Sequence, residues 1–269
     1  MDFEQKFGHD NMQRIKEFCL MDDTFMSKCF EDNIECTELV LHIILDRNDL
    51  AVESVHAQHK ICSLQGRSIV LDIYAVDSAG KRYNIEVQRS YDGAVPKRAR
   101  YNSSLIDANI TNAGDRYENL AETYVIFITE SDVLGGNEPI YHIDRIIRET
   151  GKYFGDESHI IYVNGKNRDE TPLGLLMHDF TCKNPEDMKY SKLAERTKFL
   201  KESEKGVASM CRIMEDLWKE ASEKSERKTK LEMARKIILA GEMSKDKVKE
   251  MFGLSDDDLK TEENKDKVS

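Results

Sequence analysis

No stretch of the 269 residues reaches the run of about 18–20 apolar residues needed to span a bilayer. The opening stretch, MDFEQKFGHDNMQRIKEF, has no apolar core of a secretory leader, so a cytoplasmic protein without membrane contact is expected. No CxxC pair occurs among Cys19, Cys29, Cys36, Cys62, Cys182 and Cys211, which argues against a cysteine–zinc site and for reduced, mostly buried thiols. Ser-His-Asp and Cys-His catalysis have no local motif. Positive charge is also short: the net charge of −11 by itself counts against phosphate binding.

What is present is a well-mixed globular composition, 39% hydrophobic and 34% charged, long enough for one or two domains with a sizeable core. The charge is uneven. Between Lys81 and Tyr101 stand Lys81, Arg82, Arg89, Lys97, Arg98 and Arg100 against only Glu86 and Asp92, a local excess of four positive charges.

Apolar spacing predicts a helix over Asp32–Leu45, with turn chemistry at Asp46–Asp49 and a β-prone stretch near Val52–His56. Ser68–Val76 and Arg82–Arg89 read as strands, Pro96–Ile110 as a helix with proline in its first turn, and Thr123–Thr129 and His159–Val163 as buried strands. Beyond Asn184 strand patterns cease. Charged helical patterns cover Tyr190–Lys201 and Lys205–Ala240, Gly241 offers a helix stop, and Ser244 opens a short helix to Phe252. The segment Lys236–Leu259 resembles a helix-turn-helix, but it has no basic recognition face and reads as helical packing, with Met233, Ile237, Ile238 and Met251 as core. Ser255 would cap a last turn, Asp256–Asp258 would be a helix-start charge cluster, and the tail from Thr261 reads as disordered. The expected division is an α/β domain over 1–183, a helical region over 184–260 and a tail over 261–269.

The hairpin is the most informative element. A three-residue loop, Ser78-Ala79-Gly80, suits a type I turn followed by a left-handed glycine. It pairs Asp77 with Lys81, and counting back puts Asp72 opposite Glu86. Strict alternation gives one face Ile69, Leu71, Ile73, Ala75, Tyr83, Ile85 and Val87, the core side. The other face carries Val70, Asp72, Tyr74, Val76, Arg82, Asn84, Glu86 and Gln88. Opposed carboxylates call for a counter-charge, which Mg²⁺ would supply; a solvent-facing polar strand surface fits the same pattern.

Asp72 followed fourteen residues later by Glu86-Val87-Gln88 looks like the D…(D/E)xK signature of the PD-(D/E)XK nucleases. More closely, the chain resembles the PD-(D/E)XK nuclease-family transposases, or recombination-promoting nucleases. SIVLDIYAVDSAGKRYNIEVQ (68–88), PKRARYNSSLID (96–107), GDRYENLAETYVIFIT (114–129), GDESHIIYVNG (155–165), LGLLMHDF (173–180) and DMKYSKLAERTKFLK (187–201) carry that resemblance. It implies a restriction-endonuclease-like α/β core, a mixed sheet flanked by helices, followed by an all-helical C-terminal region. It also implies hydrolysis of DNA phosphodiesters, with Mg²⁺ or Mn²⁺ held by Asp72, Glu86, the backbone carbonyl of Val87 and Glu38 of the preceding helix. Gln88 stands where lysine is usual in the wider superfamily. It can orient water only through neutral hydrogen bonds.

On the following helix Lys97, Arg98 and Tyr101 share a face with Arg100 on its flank, a set suited to DNA-backbone contact; core packing would also suit Tyr101. His56 and His59, three apart on a predicted strand, should point to opposite faces and not bind zinc. Two functional classes therefore stand: a metal-dependent DNA endonuclease, dimeric if it cuts both strands, and a non-catalytic nucleic-acid-binding or regulatory relative.

Overall fold

The computed structural model describes residues 7–63, 66–241 and 243–255. The chain divides into two compact units, Met1–Met210 and Cys211–Ser269. In the first unit, helices α1 (His9–Glu17), α2 (Asp23–Phe30) and α3 (Ile34–Leu45) precede strands β1 (Val52–Ile61), β2 (Ile69–Asp77) and β3 (Arg82–Gln88). Helix α4 (Pro96–Ile110) follows, then β4 (Thr123–Thr129), β5 (Ile140–Ile143), β6 (Ser158–Asn164), α5 (Pro172–Thr181) and α6 (Ser191–Glu202). Helix α1, α2 and the short strand β5 were not apparent from apolar spacing. The helix expected over Asp32–Leu45 starts at Ile34, because the Asn33 side chain accepts from the Cys36 N–H and caps it.

The six strands form one mixed sheet in the order β1-β2-β3-β4-β6-β5. The first three are an antiparallel meander, β3, β4 and β6 run parallel, and β5 closes the far edge antiparallel. The β2–β3 register pairs Ile73 with Ile85 and Val76 with Arg82, as the loop length requires. Gly80 takes the left-handed conformation (φ 79°), and Gly80 N–H donates to Asp77 O. The Asp77 carboxylate organises the loop from within. It accepts from the amides of Ala79 (3.0 Å) and Lys81 (2.9 Å) and from the buried Tyr83 hydroxyl (2.7 Å).

Strict alternation fails at one point on β2. Ile69 and Leu71 pack with Tyr74 and Val76 in the cluster containing Ala99 and Ile106 of α4, not with Ile73 and Ala75. The pleat slips at Asp72. Its partner position on β1 is Gln58, between the pairs Ala57–Ile73 and His59–Leu71, and Gln58 has a positive φ of 51°. The same irregularity brings the rings of His56 and His59 to 5.8 Å, with His59 stacked on Tyr74 at 4.8 Å, so the expectation of opposite faces is corrected.

Both sheet faces are covered. Under α4 lie Tyr74, Val125, Phe127 and Tyr162, while Ile73, Ile85, Ile126, Ile128 and Val163 on the other side are also buried. Helices α2 and α3 pack against β1, and α5 and α6 against α3. A solvent-facing reading of the Asp72–Glu86 face is thereby excluded: Glu86 is 0% and Asp72 8% exposed. Lys201 of α6, buried, donates to the carbonyls of Lys16, Phe18 and Lys183 and lies over the Phe25 ring, pinning α6 to the N-terminal helices. Burial pulls its pKa down to about 8.

Helix α7 (Glu204–Leu239) runs through the division between the units, and α8 (Lys245–Phe252) belongs to the second. There Ala234 and Val248 are buried among Leu231, Ile237, Ile238, Phe252 and Leu254. Gly241 (φ 70°) follows the end of α7, and Gly253 (φ 64°) caps α8. Ile237 and Ile238 are packed as expected, whereas Met233 and Met251 are exposed. The Asp256–Asp258 cluster, the turn that Ser255 would open and the tail beyond lie outside the described residues. Among the described residues no helix is long and apolar enough to cross a membrane, and all six cysteines are free thiols.

Asp77→Ala removes three acceptor contacts and leaves the buried Tyr83 hydroxyl without one. It should destabilise the protein by about 3 kcal/mol in urea unfolding, with Asp77→Asn costing roughly half of that. A loss under about 1 kcal/mol for Asp77→Ala would mean the loop is organised from elsewhere.

Candidate metal centre and nucleic-acid cleft

Glu86 occupies the middle of the sheet on β3, beside Phe127 of β4. A carboxylate there has no water and needs partners from the helix above. Arg98 of α4 places its guanidinium 2.5 Å from Glu86 Oε2, and Asn102, one turn on, donates to Oε1 at 3.3 Å. Arg98 also donates to Gly93 O (2.7 Å) and lies 5.8 Å from the Phe127 ring centre. Asp72 stands one step beyond the last β2–β3 ladder pair, Ile73–Ile85, in register with Glu86. Its Oδ2 accepts from the backbone N–H of Val87 (2.9 Å), with the Gln88 amide at 3.4 Å. The carboxylate thus replaces a strand carbonyl at the point where the pleat slips.

Both acids resist ionisation. Burial pushes Asp72 up to about 6, with the charge of Asp23 adding to the rise and the Val87 N–H and Arg98 opposing it. Burial and then the neighbouring Asp72 charge push Glu86 up to about 7, opposed by Arg98. One guanidinium faces two carboxylates, so the site has room for a further positive charge. Among the described residues no group of three or more His, Cys, Asp or Glu is set to hold a metal. Two adjacent carboxylates without such a cage suit a hard, partly hydrated cation and not zinc.

The Gln88 amide extends into the space left by the missing side chain of Gly93. A Cβ on Gly93 would overlap Gln88 Oε1. The short 3₁₀ turn Tyr91–Ala94, which carries Gly93, also presents the carbonyl that Arg98 binds.

Glu38 is not brought to this pair. Its carboxylate accepts from the N–H of Val52 at 3.0 Å, and Val52 pairs with Asp77 at the loop end of β2. Five residues of strand separate that point from Asp72, about 16 Å. The nearer acid is Asp23, the first residue of α2, exposed and held by the Gln58 amide at 3.0 Å. The residue after Gln88 ties the same region together: Arg89 pairs with Asp22 at 2.9 Å and donates to Met21 O at 3.2 Å. A paired Asp22-Asp23 opening a helix was the available sequence signal; the α1–α2 segment shows no motif that separates it from an ordinary helix start.

Three of the four residues expected to contact DNA, Lys97, Arg98 and Tyr101, line a cleft of about 780 Å³ beside the pair. Arg67, Ser68, Ile69 and Val70 at the entry to β2 line one side, and Asp92, Val95, Lys97, Arg98, Tyr101 and Asn102 the other. Lys97, Arg98 and Tyr101 therefore share one surface, while Arg100 is exposed outside the cleft lining. The Tyr101 hydroxyl donates to Arg67 O at 2.5 Å, which accounts for its partial burial without core packing. Asn102 and Arg67 are additions to the set expected from sequence.

The raised carboxylate pKa values set a pH dependence for the metal-free protein. Unfolded, both groups ionise near pH 4; folded, they do so near 6 and 7. The unfolded chain therefore holds fewer protons across that interval, and stability should fall as pH rises from about 4 to about 7. Glu86→Gln should flatten that fall, measured as Tm against pH in EDTA; an unchanged slope would remove Glu86 as its source.

A family model described as PD-(D/E)XK nuclease family transposase matches residues 41–251. No curated protein and no solved structure matches the chain. The mixed six-stranded sheet, covered by helices and followed by a helical region, is the restriction-endonuclease-like architecture implied by the sequence. Glu38 and Asp23 fall before the matched segment, whereas Asp72, Glu86, Gln88 and every residue lining the cleft fall inside it. With more than three quarters of its length matched in this way, the chain belongs to the PD-(D/E)XK nuclease family transposases.

Proposed function

We propose that the chain is a divalent-metal-dependent DNA endonuclease of the recombination-promoting type, with Asp72 and Glu86 as its metal-binding carboxylates. The observation that carries this reading is the burial of two adjacent acids, both with raised pKa, under a single guanidinium. Such a pair is costly to fold unless a positive ligand is bound for part of its working life. Mg²⁺ or Mn²⁺ would be held by the two carboxylates and the carbonyl of Val87, supplying Lewis-acid stabilisation of phosphoryl oxygens and acidifying water.

The chain's own residues have separate tasks. Arg98 opposes the rise in the Glu86 pKa and presents its remaining edge to the cleft, where a phosphate would meet it. Asn102 fixes the orientation of the Glu86 carboxylate. Gln88 orients attacking water through neutral hydrogen bonds. Lys97 supplies charge to the DNA backbone, with Tyr101 as a hydroxyl or ring partner and Arg100 as an outer phosphate contact. Asp23 is better placed than Glu38 to complete the metal's surroundings through water. A double-strand break would need two such sites, hence two copies of the chain.

Plasmid nicking with and without Mg²⁺ tests the reading. Asp72→Ala and Glu86→Ala should each lower cleavage about a thousandfold or more, and Gln88→Ala and Asp23→Ala about tenfold to a hundredfold. Glu38→Ala should leave Mn²⁺ affinity unchanged by calorimetry while lowering stability by about 1–2 kcal/mol. Metal-dependent cleavage that survives both Asp72→Ala and Glu86→Ala would sink the assignment. DNA binding without cleavage would favour a non-catalytic relative.

A further inference from the structure

The cleft beside Asp72 and Glu86 is unlike a surface built for an intact duplex. B-DNA presents phosphates on its outside and keeps the faces of its bases stacked within, so a duplex-binding surface needs cations and polar groups. Among the described lining residues, the cations Arg67, Lys97 and Arg98, the last already paired with Glu86, stand with the acid Asp92 beside Ile69, Val70 and Val95. Val70 is 43% exposed there. An exposed aliphatic edge beside phosphate-binding cations, with the ring of Tyr101 in the same lining, suits a backbone whose base has left the stack.

The shape agrees. The Tyr101–Arg67 hydrogen bond ties the two sides of the cleft to each other at one point. A volume of about 780 Å³ lies within the range of small-ligand sites, enough for an unstacked nucleotide and its flanking phosphates. Arg98 belongs both to this lining and to the Glu86 pair, so a strand seated there lies next to the carboxylates.

We infer that the substrate is a single DNA strand, or a locally unpaired segment of a duplex, with one base held out of the stack against Ile69, Val70 and Tyr101. This rests on the nuclease reading for its chemistry but not for its binding test. Fluorescence anisotropy of the full chain in Ca²⁺ should show a labelled single strand and a bubble duplex bound about tenfold or more tighter than the matched duplex at equal salt. A 2-aminopurine in the bubble should brighten on binding. Val70→Asp, at a half-exposed position that tolerates polarity, should abolish that preference and the brightening. Lys97→Ala should weaken all DNAs alike and lower the salt slope by about one.

Equal affinity for duplex and single strand, with no 2-aminopurine change, would overturn the inference. Metal-dependent cleavage of the duplex would then still stand for the nuclease. Single-strand preference lost in Val70→Asp, without cleavage of any DNA in Mg²⁺ or Mn²⁺, would uphold the inference and overturn the nuclease. Failure to bind any DNA would overturn both.

Discussion

A carboxylate at the centre of a β-sheet, shielded from water and facing a second acid, is the constraint around which the first unit is arranged. Glu86 can be there only because α4 crosses the sheet with Arg98 and Asn102 pointing down at it. That requirement explains the composition of α4. Its sheet-facing side mixes Ala99 and Ile106, which pack on Val125, Phe127 and Tyr162, with the buried polar Asn102 and Ser103. An all-apolar α4 would pack the sheet better and leave Glu86 without a partner. Gly93 belongs to the same arrangement, since its carbonyl holds Arg98 and its bare Cα leaves space for Gln88.

Asp72 reaches the pair by a different device. The hairpin loop, organised by Asp77, sets the β2–β3 register, and the slip at Asp72 and Gln58 turns the carboxylate onto the Val87 amide. A regular strand would use that amide for its ladder. A local fault in the sheet is thus what lets a side chain and the Val87 backbone meet at one site. Arg89 and Gln58 connect the same spot to the start of α2, and Lys201 anchors the helices from which α2 departs. Helices α1 and α2 therefore take part in the surroundings of the Asp72–Glu86 pair even though the family match begins after them.

Charge balance over the whole chain is a poor guide to what the cleft can bind. A net charge of −11 coexists with a cleft whose described lining holds Arg67, Lys97 and Arg98 against Asp92, with the buried Glu86 taking up part of the Arg98 charge. Screening over about 8–10 Å lets the local set dominate near the site at physiological salt.

Much of this was legible in the chain itself. Alternation and loop length determined the hairpin and the Asp72–Glu86 register, because a three-residue loop with glycine third permits one pairing. Pro96 and the helical spacing after it determined α4 to the residue, and the continuous apolar runs located β4 and β6. Long-range packing decided the rest. The loss of phase at Asp72 depends on a left-handed Gln58 on another strand, which no pattern within β2 encodes. Glu38 went to an open strand amide and Asp23 came near the pair, because helix placement on the sheet, not helical sequence, sets which acid is near. The opposed carboxylates of the hairpin were visible from residue order alone; only the tertiary structure buried them, gave Glu86 its arginine and shaped the cleft beside them.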